Sequence, residues 1–272
     1  MRAKYLLFVL CFSTSLFSDY KFETVLSGLD DAWSLEFLSE DEIIYTEMPG
    51  KLKIANLING SITQIKNVPK VQYSSQGGLS EVVLDPDFAS NNMIYLSYSA
   101  RNSDGKSTLY LMSAVLNKDS LENKKVIFEA KAPRRVPVHL GAKIAFLDDG
   151  TILLASGDGF DHREKAQTLD NHFGKIIRIN KDGTVPSDNP FVNVEDALPD
   201  IYSYGHRNQQ GLIVTKTGEI YEHEHGPRGG DEMNLIEPSL NYGWPAITYG
   251  IDYSGAVISC LLYTSPSPRD CQ

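Results

Sequence analysis

The chain has 272 residues, 42% of them hydrophobic and 22% charged, which is an ordinary balance for a globular protein with a sizeable core. Its formal charge of −10 argues against non-specific attraction to nucleic acid or to an anionic membrane surface. The three cysteines are Cys11, Cys260 and Cys271, so Asp19 to Ser259 holds none and no disulfide framework supports that stretch.

Residues 1–18 read as a secretory signal peptide. Arg2 and Lys4 give a positive start, Leu6 to Phe12 an apolar stretch, and Ser13 to Ser18 a small-residue exit. The segment is too short for a stable membrane span, so export to a periplasm is expected, with no stable membrane insertion. From 19 to 259 one unit recurs loosely four times: an apolar run, a turn rich in Asp, Gly or Asn, and a second apolar run. Trp33 to Leu38 leads to Ile43 to Thr46, and Leu79 to Leu84 leads to Ile94 to Tyr98. Ala142 to Leu147 leads to Ile152 to Ala155, and Gly211 to Thr215 leads to Glu219 to Glu222. The turns Ser39 to Glu42, Asp148-Asp149-Gly150 and Lys216-Thr217-Gly218 carry hairpin chemistry. Further strands are expected at Lys51 to Leu57, Thr108 to Val115, Val126 to Glu129 and Lys175 to Ile179, and no amphipathic helix of ordinary length stands out.

Repeated hairpins with extra strands predict an all-β fold, a β-propeller with about four blades, and a β-sandwich is the competing architecture. After Ser259 the alternation stops, and Pro266 and Pro268 would break a sheet. Residues 260–272 are therefore expected to be a foreign tail, with the natural gene continuing beyond the last blade seen here.

The densest chemistry lies at His225-Gly226-Pro227-Arg228-Gly229-Gly230-Asp231-Glu232, followed by Asn241-Tyr242-Gly243-Trp244-Pro245. Glycines and proline turn backbone carbonyls inward and carboxylates follow, the mixture of oxygen donors a hard cation such as calcium takes; an ordinary polar turn is the plainer reading. Gln76-Gly77-Gly78-Leu79, His139-Leu140-Gly141 and the run from Ser203 to Gly211 each open a unit, while Ser156-Gly157-Asp158 closes one. All except Asp158 precede a first strand, so a propeller would gather them on one face. Taken alone, His139 is more often a structural imidazole than a base, since imidazole readily serves either role. Asp158 serves as a turn residue or an imidazole partner, and Arg207 as a surface ion-pair member or an anion clamp. His223 and His225 offer a His-x-His pair to a transition metal, or are structural.

The ordered set QGGL, HLG, SGD, SYGHRNQQG, EHGPRGGDE and NYGWP resembles the soluble, pyrroloquinoline-quinone-dependent aldose sugar dehydrogenases of the glucose/sorbosone dehydrogenase family, over roughly residues 24 to 257. The resemblance implies a six-bladed propeller, of which this chain would hold a C-terminally truncated copy, with calcium and the quinone on its top face. It implies His139 as the base that removes the proton of the sugar's C1 hydroxyl and Asp158 as the partner that orients it. Gln76, Arg207, Asn208 and, less closely matched, Tyr253 would contact the cofactor. The carbonyls of Gly226 and Pro227 would hold the calcium that bridges to the quinone. Glu232 and the Tyr242 carbonyl would hold a structural calcium, with Asp231, Thr248 and Asp252 as weaker candidates. Val138 and Lys143 depart from the family's usual residues, and the lysine and arginines that later blades give the quinone would follow the end of this chain. The expected partners are an aldose, an electron acceptor that the sequence does not identify and, where subunits pair, a second copy in a homodimer. Two other readings are a calcium-dependent propeller lactonase or hydrolase, and a non-catalytic sugar-binding propeller.

Overall fold

The structure is a computed structural model that describes residues 21–258; the expected signal peptide 1–18, the expected tail 260–272 and all three cysteines lie outside the described residues. The described chain is all-β apart from one α-helical turn, Phe88–Asn91, and one 3-10 turn, Arg163–Gln167. Four antiparallel sheets follow one another along the sequence. The first comprises β1 (Ala32–Phe37), β2 (Glu42–Glu47), β3 (Lys51–Asn56) and β4 (Ile62–Gln64). The second comprises β5 (Leu79–Leu84), β6 (Met93–Arg101), β7 (Ser107–Asn117) and β8 (Ser120–Glu129). In the third are β9 (Gly141–Phe146), β10 (Ile152–Ser156), β11 (Lys175–Ile179) and β12 (Ile201–Tyr204), and in the fourth β13 (Gln209–Val214), β14 (Ile220–Glu224) and β15 (Glu232–Ile236). Each sheet is a plain meander. The first strands β1, β5, β9 and β13 meet one another in sequence, which is the radial arrangement of propeller blades.

Local sequence explains the hairpins. Between β9 and β10, Gly150 takes φ 81° and its amide closes the turn onto the Leu147 carbonyl, while Asp149 Oδ1 accepts the Thr151 amide at 2.8 Å. The expected strand pairs at the four repeats are all present. The short outer strands β4 and β12 have too few residues to show alternation, and the sequence does not reveal them.

Packing between sheets explains why β10 is buried along its whole length, since a blade is covered on both faces. Leu111, Ile127 and Phe128 of the second sheet pack against Ile144, Leu154 and Ile177 of the third. Ile44 and Leu52 pack against Leu79, Ile94 and Leu96, and Leu153, Ile176 and Tyr202 against Leu212, Ile220 and Ile236. The outer faces of the row differ. Trp33, Leu35 and Phe37 on the first sheet, and Ile213, Met233 and Leu235 on the fourth, are exposed.

Leu154 is fully buried at the second–third interface, whereas Leu35 is 53% exposed. Denaturant unfolding is expected to show a loss of about 2–5 kcal/mol for Leu154→Ala, from lost burial plus the cavity left behind, and under about 1 kcal/mol for Leu35→Ala. Equal losses at the two positions would contradict the packing described.

Candidate functional site

The loops that enter the innermost strands carry the expected site residues: Gln76 precedes β5, His139 precedes β9, and Arg207 and Asn208 precede β13. Asp158 leaves β10 on the same side. His139 holds a left-handed backbone, φ 45°, an uncommon conformation for a residue with a side chain. The Gln76 side-chain carbonyl accepts the His139 amide at 2.8 Å and fixes that turn from the neighbouring blade. The loops close tightly around Gly157, where a Cβ would lie 2.3 Å from the His139 carbonyl oxygen and 3.0 Å from that of Arg207. Glycine alone admits that approach.

His139 Nδ1 and Asp158 Oδ1 are 2.7 Å apart, and both residues are buried. The carboxylate has two further donors: the Phe160 amide on Oδ1 at 2.8 Å and the Trp244 indole on Oδ2 at 2.7 Å. Behind it sits Arg134, also buried, whose Nη2 donates to the Gly157 carbonyl at 3.1 Å and whose guanidinium lies over the Phe173 ring. Burial pushes the Arg134 guanidinium down to about 10, and the negative charge of Asp158 opposes that fall. With Nδ1 committed to Asp158, Nε2 is the nitrogen left to act as a base.

His139, Asp158, Arg207, Pro227, Trp244 and Tyr253 line one cavity of about 370 Å³. Gln76 and Asn208 line the adjoining one, of about 480 Å³. Arg207 is anchored by its Nη1 bond to the His225 carbonyl at 2.8 Å, and its guanidinium lies over Trp244 at 5.2 Å. Tyr253 Oη accepts from Nη2 at 3.4 Å, while the buried Nε makes no hydrogen bond. An arginine with an unused buried donor at the wall of a cavity suits a carboxylate-bearing ligand.

The Gly226 loop wraps on itself. Asp231 Oδ1 accepts the Gly226 amide at 2.8 Å, and a Cβ on Gly226 would meet the Gly229 and Gly230 carbonyl oxygens at 2.2 and 2.4 Å. The Gly229 and Gly230 carbonyls thus close on Gly226 as a cradle of backbone oxygens, the donor chemistry calcium takes, and Pro227 of the same loop lines the His139 cavity. Burial, and then the nearby Glu224 carboxylate, raise Glu232 to about 7. Tyr242 stacks on His206 at 4.7 Å. Of the weaker candidates, Asp231 is tied to Gly226, Thr248 Oγ accepts the Gly250 amide, and Asp252 pairs with Arg163 at 3.1 Å. His223 packs over Gly211 and His225 faces Asp231 at 3.7 Å, so the two imidazoles go to separate partners.

Sequence reasoning did not assign Arg134, Phe160 or the indole of Trp244. Trp244 belongs to the Asn241-Tyr242-Gly243-Trp244-Pro245 motif, but nothing in the sequence aims its N–H at a residue 86 positions away. Arg134 stands in a run with no motif, and only its complete burial singles it out.

The chain matches the glucose/sorbosone dehydrogenase family model over residues 29–266. It is 35% identical to the aldose sugar dehydrogenase of Escherichia coli (strain K12), over 91% of this chain and 68% of that protein. It is 30% identical to quinoprotein glucose dehydrogenase B of Acinetobacter calcoaceticus, over 86% of this chain and 54% of that protein. The structure of the PQQ-bound aldose sugar dehydrogenase of Streptomyces coelicolor superimposes with a TM-score of 0.70 at 27% identity, covering 86% of this chain and 68% of that one. The chain thus spans between about half and two thirds of the length of the curated relatives it matches, from 54% to 68%.

Because Glu232 is raised to about 7, the folded protein binds more protons there than the unfolded chain between the ordinary glutamate range and pH 7. Its contribution to stability is complete below that range and is lost as pH rises through 7. A cation bound by Glu232 needs the carboxylate deprotonated. Added Ca2+ is therefore expected to raise Tm more at pH 8 than at pH 6, and Glu232→Gln to remove that difference. An equal Ca2+ effect at both pH values would refute the assignment.

Proposed function

The chain belongs to the glucose/sorbosone dehydrogenase family, and from that membership we propose that it is an aldose dehydrogenase that oxidises the C1 hydroxyl of a sugar to a lactone. The observation that carries the proposal is the buried 2.7 Å His139–Asp158 pair in a cavity that also holds Arg207. His139 Nε2 takes the hydroxyl proton of C1. Asp158 accepts from Nδ1, keeps the ring in the tautomer with Nε2 free, and stabilises the imidazolium that forms. The C1 hydrogen leaves with its electron pair as hydride, and a C1=O bond replaces C1–H and O–H.

Pyrroloquinoline quinone, when bound, would accept that hydride, with Ca2+ as the Lewis acid beside it. The residues present fit this group. Arg207 offers an unused buried Nε, Asn208 lies next to it, and Pro227 of the Gly226 loop lines the same cavity as Arg207. Gln76 reaches the site through the His139 amide, and Tyr253 through Arg207. The bond from Trp244 makes the indole a positioning residue for the dyad. The relatives named aldose sugar dehydrogenase and quinoprotein glucose dehydrogenase support a sugar substrate and the quinone. A periplasmic location is proposed from the signal-like residues 1–18. Among the described residues no helix is long and apolar enough to cross a membrane.

The experiment supplies the purified chain with the quinone, Ca2+, an aldose and an artificial redox dye. Dye reduction is expected, and His139→Gln should lower kcat by about 10²–10⁴ while leaving quinone binding within a few-fold. Trp244→Phe should cost roughly tenfold in kcat with KM little changed, since it removes one of three donors on Asp158. Lactone hydrolysis without quinone would instead establish the calcium-dependent hydrolase. Calcium binding with neither activity would leave a sugar-binding propeller.

A further inference from the structure

Away from the dyad, three side chains converge in the interface between the third and fourth sheets. His206 precedes β13, and Glu222 and Glu224 share the inward face of β14; all three are buried. His206 Nδ1 lies 3.4 Å from Glu222 Oε1 and 3.7 Å from Glu224 Oε1, and the three ligand atoms fall within 4.8 Å of one another.

These separations decide between two arrangements. A direct N–H···O bond would be about 2.7–3.2 Å long. Tetrahedral zinc, with bonds near 2.0–2.1 Å, spaces its ligand atoms by about 3.3–3.4 Å. The observed distances exceed the first and stand close to the second. In agreement, His206 Nδ1 and Glu222 Oε2 are both buried and neither makes a hydrogen bond. The remaining contacts orient the ligands. Ser203 Oγ holds the other ring nitrogen at 2.9 Å, Asn234 Nδ2 donates to Glu222 Oε1 at 2.9 Å, and the Arg207 amide donates to Glu224. An imidazole held by its far nitrogen is the usual outer-shell support for a metal-bound ring.

Charge points the same way. Two buried carboxylates face one imidazole. Among the described residues no lysine or arginine side chain forms an ion pair with Glu222 or Glu224. Buried negative charge without a full counter-charge is costly, and a bound cation removes the cost.

We propose that His206, Glu222 and Glu224 form a site for a divalent first-row transition ion of the zinc type, with a water completing the coordination. A nitrogen donor beside two carboxylates suits zinc or manganese better than calcium, which takes oxygen ligands. This site is separate from the Gly226 carbonyl cradle and owes nothing to the redox reading.

The test strips the full chain with a chelator, saturates it with Ca2+, and titrates Zn2+ by calorimetry with metal content measured in parallel. One equivalent is expected with a Kd of micromolar or tighter. Substituting Co2+ should give visible bands of low-coordinate nitrogen and oxygen ligation. Glu222→Gln, which keeps shape and can keep the Asn234 contact, should weaken Zn2+ at least 100-fold with unchanged circular dichroism, and His206→Gln should do the same. Failure of Zn2+ to bind stoichiometrically when Ca2+ is saturating would overturn the proposal. So would binding that Glu222→Gln leaves intact. If either variant fails to fold, the wild-type titration and the Co2+ spectrum decide alone.

Discussion

The packing of each sheet against the next is the constraint on which everything else rests. A β-sheet buried on both faces has no freedom to rotate about its strands without opening a void, and here the interfaces are filled by interlocked aliphatic side chains such as Leu111, Leu154 and Ile177. Fixing the sheets fixes the row of innermost strands, and that row fixes where the entering loops meet. Gln76, His139 and Arg207 come from three different sheets, and none holds its position by local sequence alone. The close approaches at Gly157 show how little slack this leaves, because the turns of one blade touch carbonyls of two loops within van der Waals distance.

Asp158 is where packing becomes chemistry. A carboxylate buried this deeply needs hydrogen-bond donors for its oxygens. Here it accepts three hydrogen bonds, and the cation of Arg134 stands behind it. Each donor belongs to a different part of the chain: a left-handed turn, the residue two positions on, and an indole far along the sequence. The dyad is thus preorganised by the fold and needs no rearrangement to form. Arg207 joins the same assembly through its stacking on Trp244, so one indole touches both the carboxylate and the guanidinium.

How much of this was readable in the sequence follows from the range of each interaction. Hairpins were legible because their signals are local: an apolar run, an Asp-Gly turn, a second run. Fourfold repetition then gave the propeller, and the convergence of Gln76, His139 and Arg207 followed from their shared place before a first strand. The short strands β4 and β12 escaped because three or four residues cannot display a period. Arg134 escaped because burial of a charged side chain is a property of the finished core. The Trp244–Asp158 bond escaped because it depends on how the fourth sheet's exit loop folds back over the third. His206, Glu222 and Glu224 lay in plain view inside quoted motifs or beside them. Only the register of β14, which turns residues 222 and 224 inward and His223 outward, separates the acids of the interface from the exposed imidazole.

That register also ties the two buried charge centres together through a single residue. The Asp158 amide donates to the Arg207 carbonyl at 2.7 Å, while the Arg207 amide donates to Glu224. The backbone of Arg207 is therefore clamped between the third sheet's dyad and the fourth sheet's acid cluster, and its side chain lines the cavity. Its neighbour His206 turns into the acids, with the chain bending at Arg207 between β12 and β13. Unbalanced repulsion between Glu222 and Glu224 would loosen the acceptor that fixes the Arg207 amide. Glu224 thereby fixes the backbone from which the guanidinium reaches the cavity that His139 also lines. The acid cluster is in this sense a foundation for the cavity, although none of its atoms lines it.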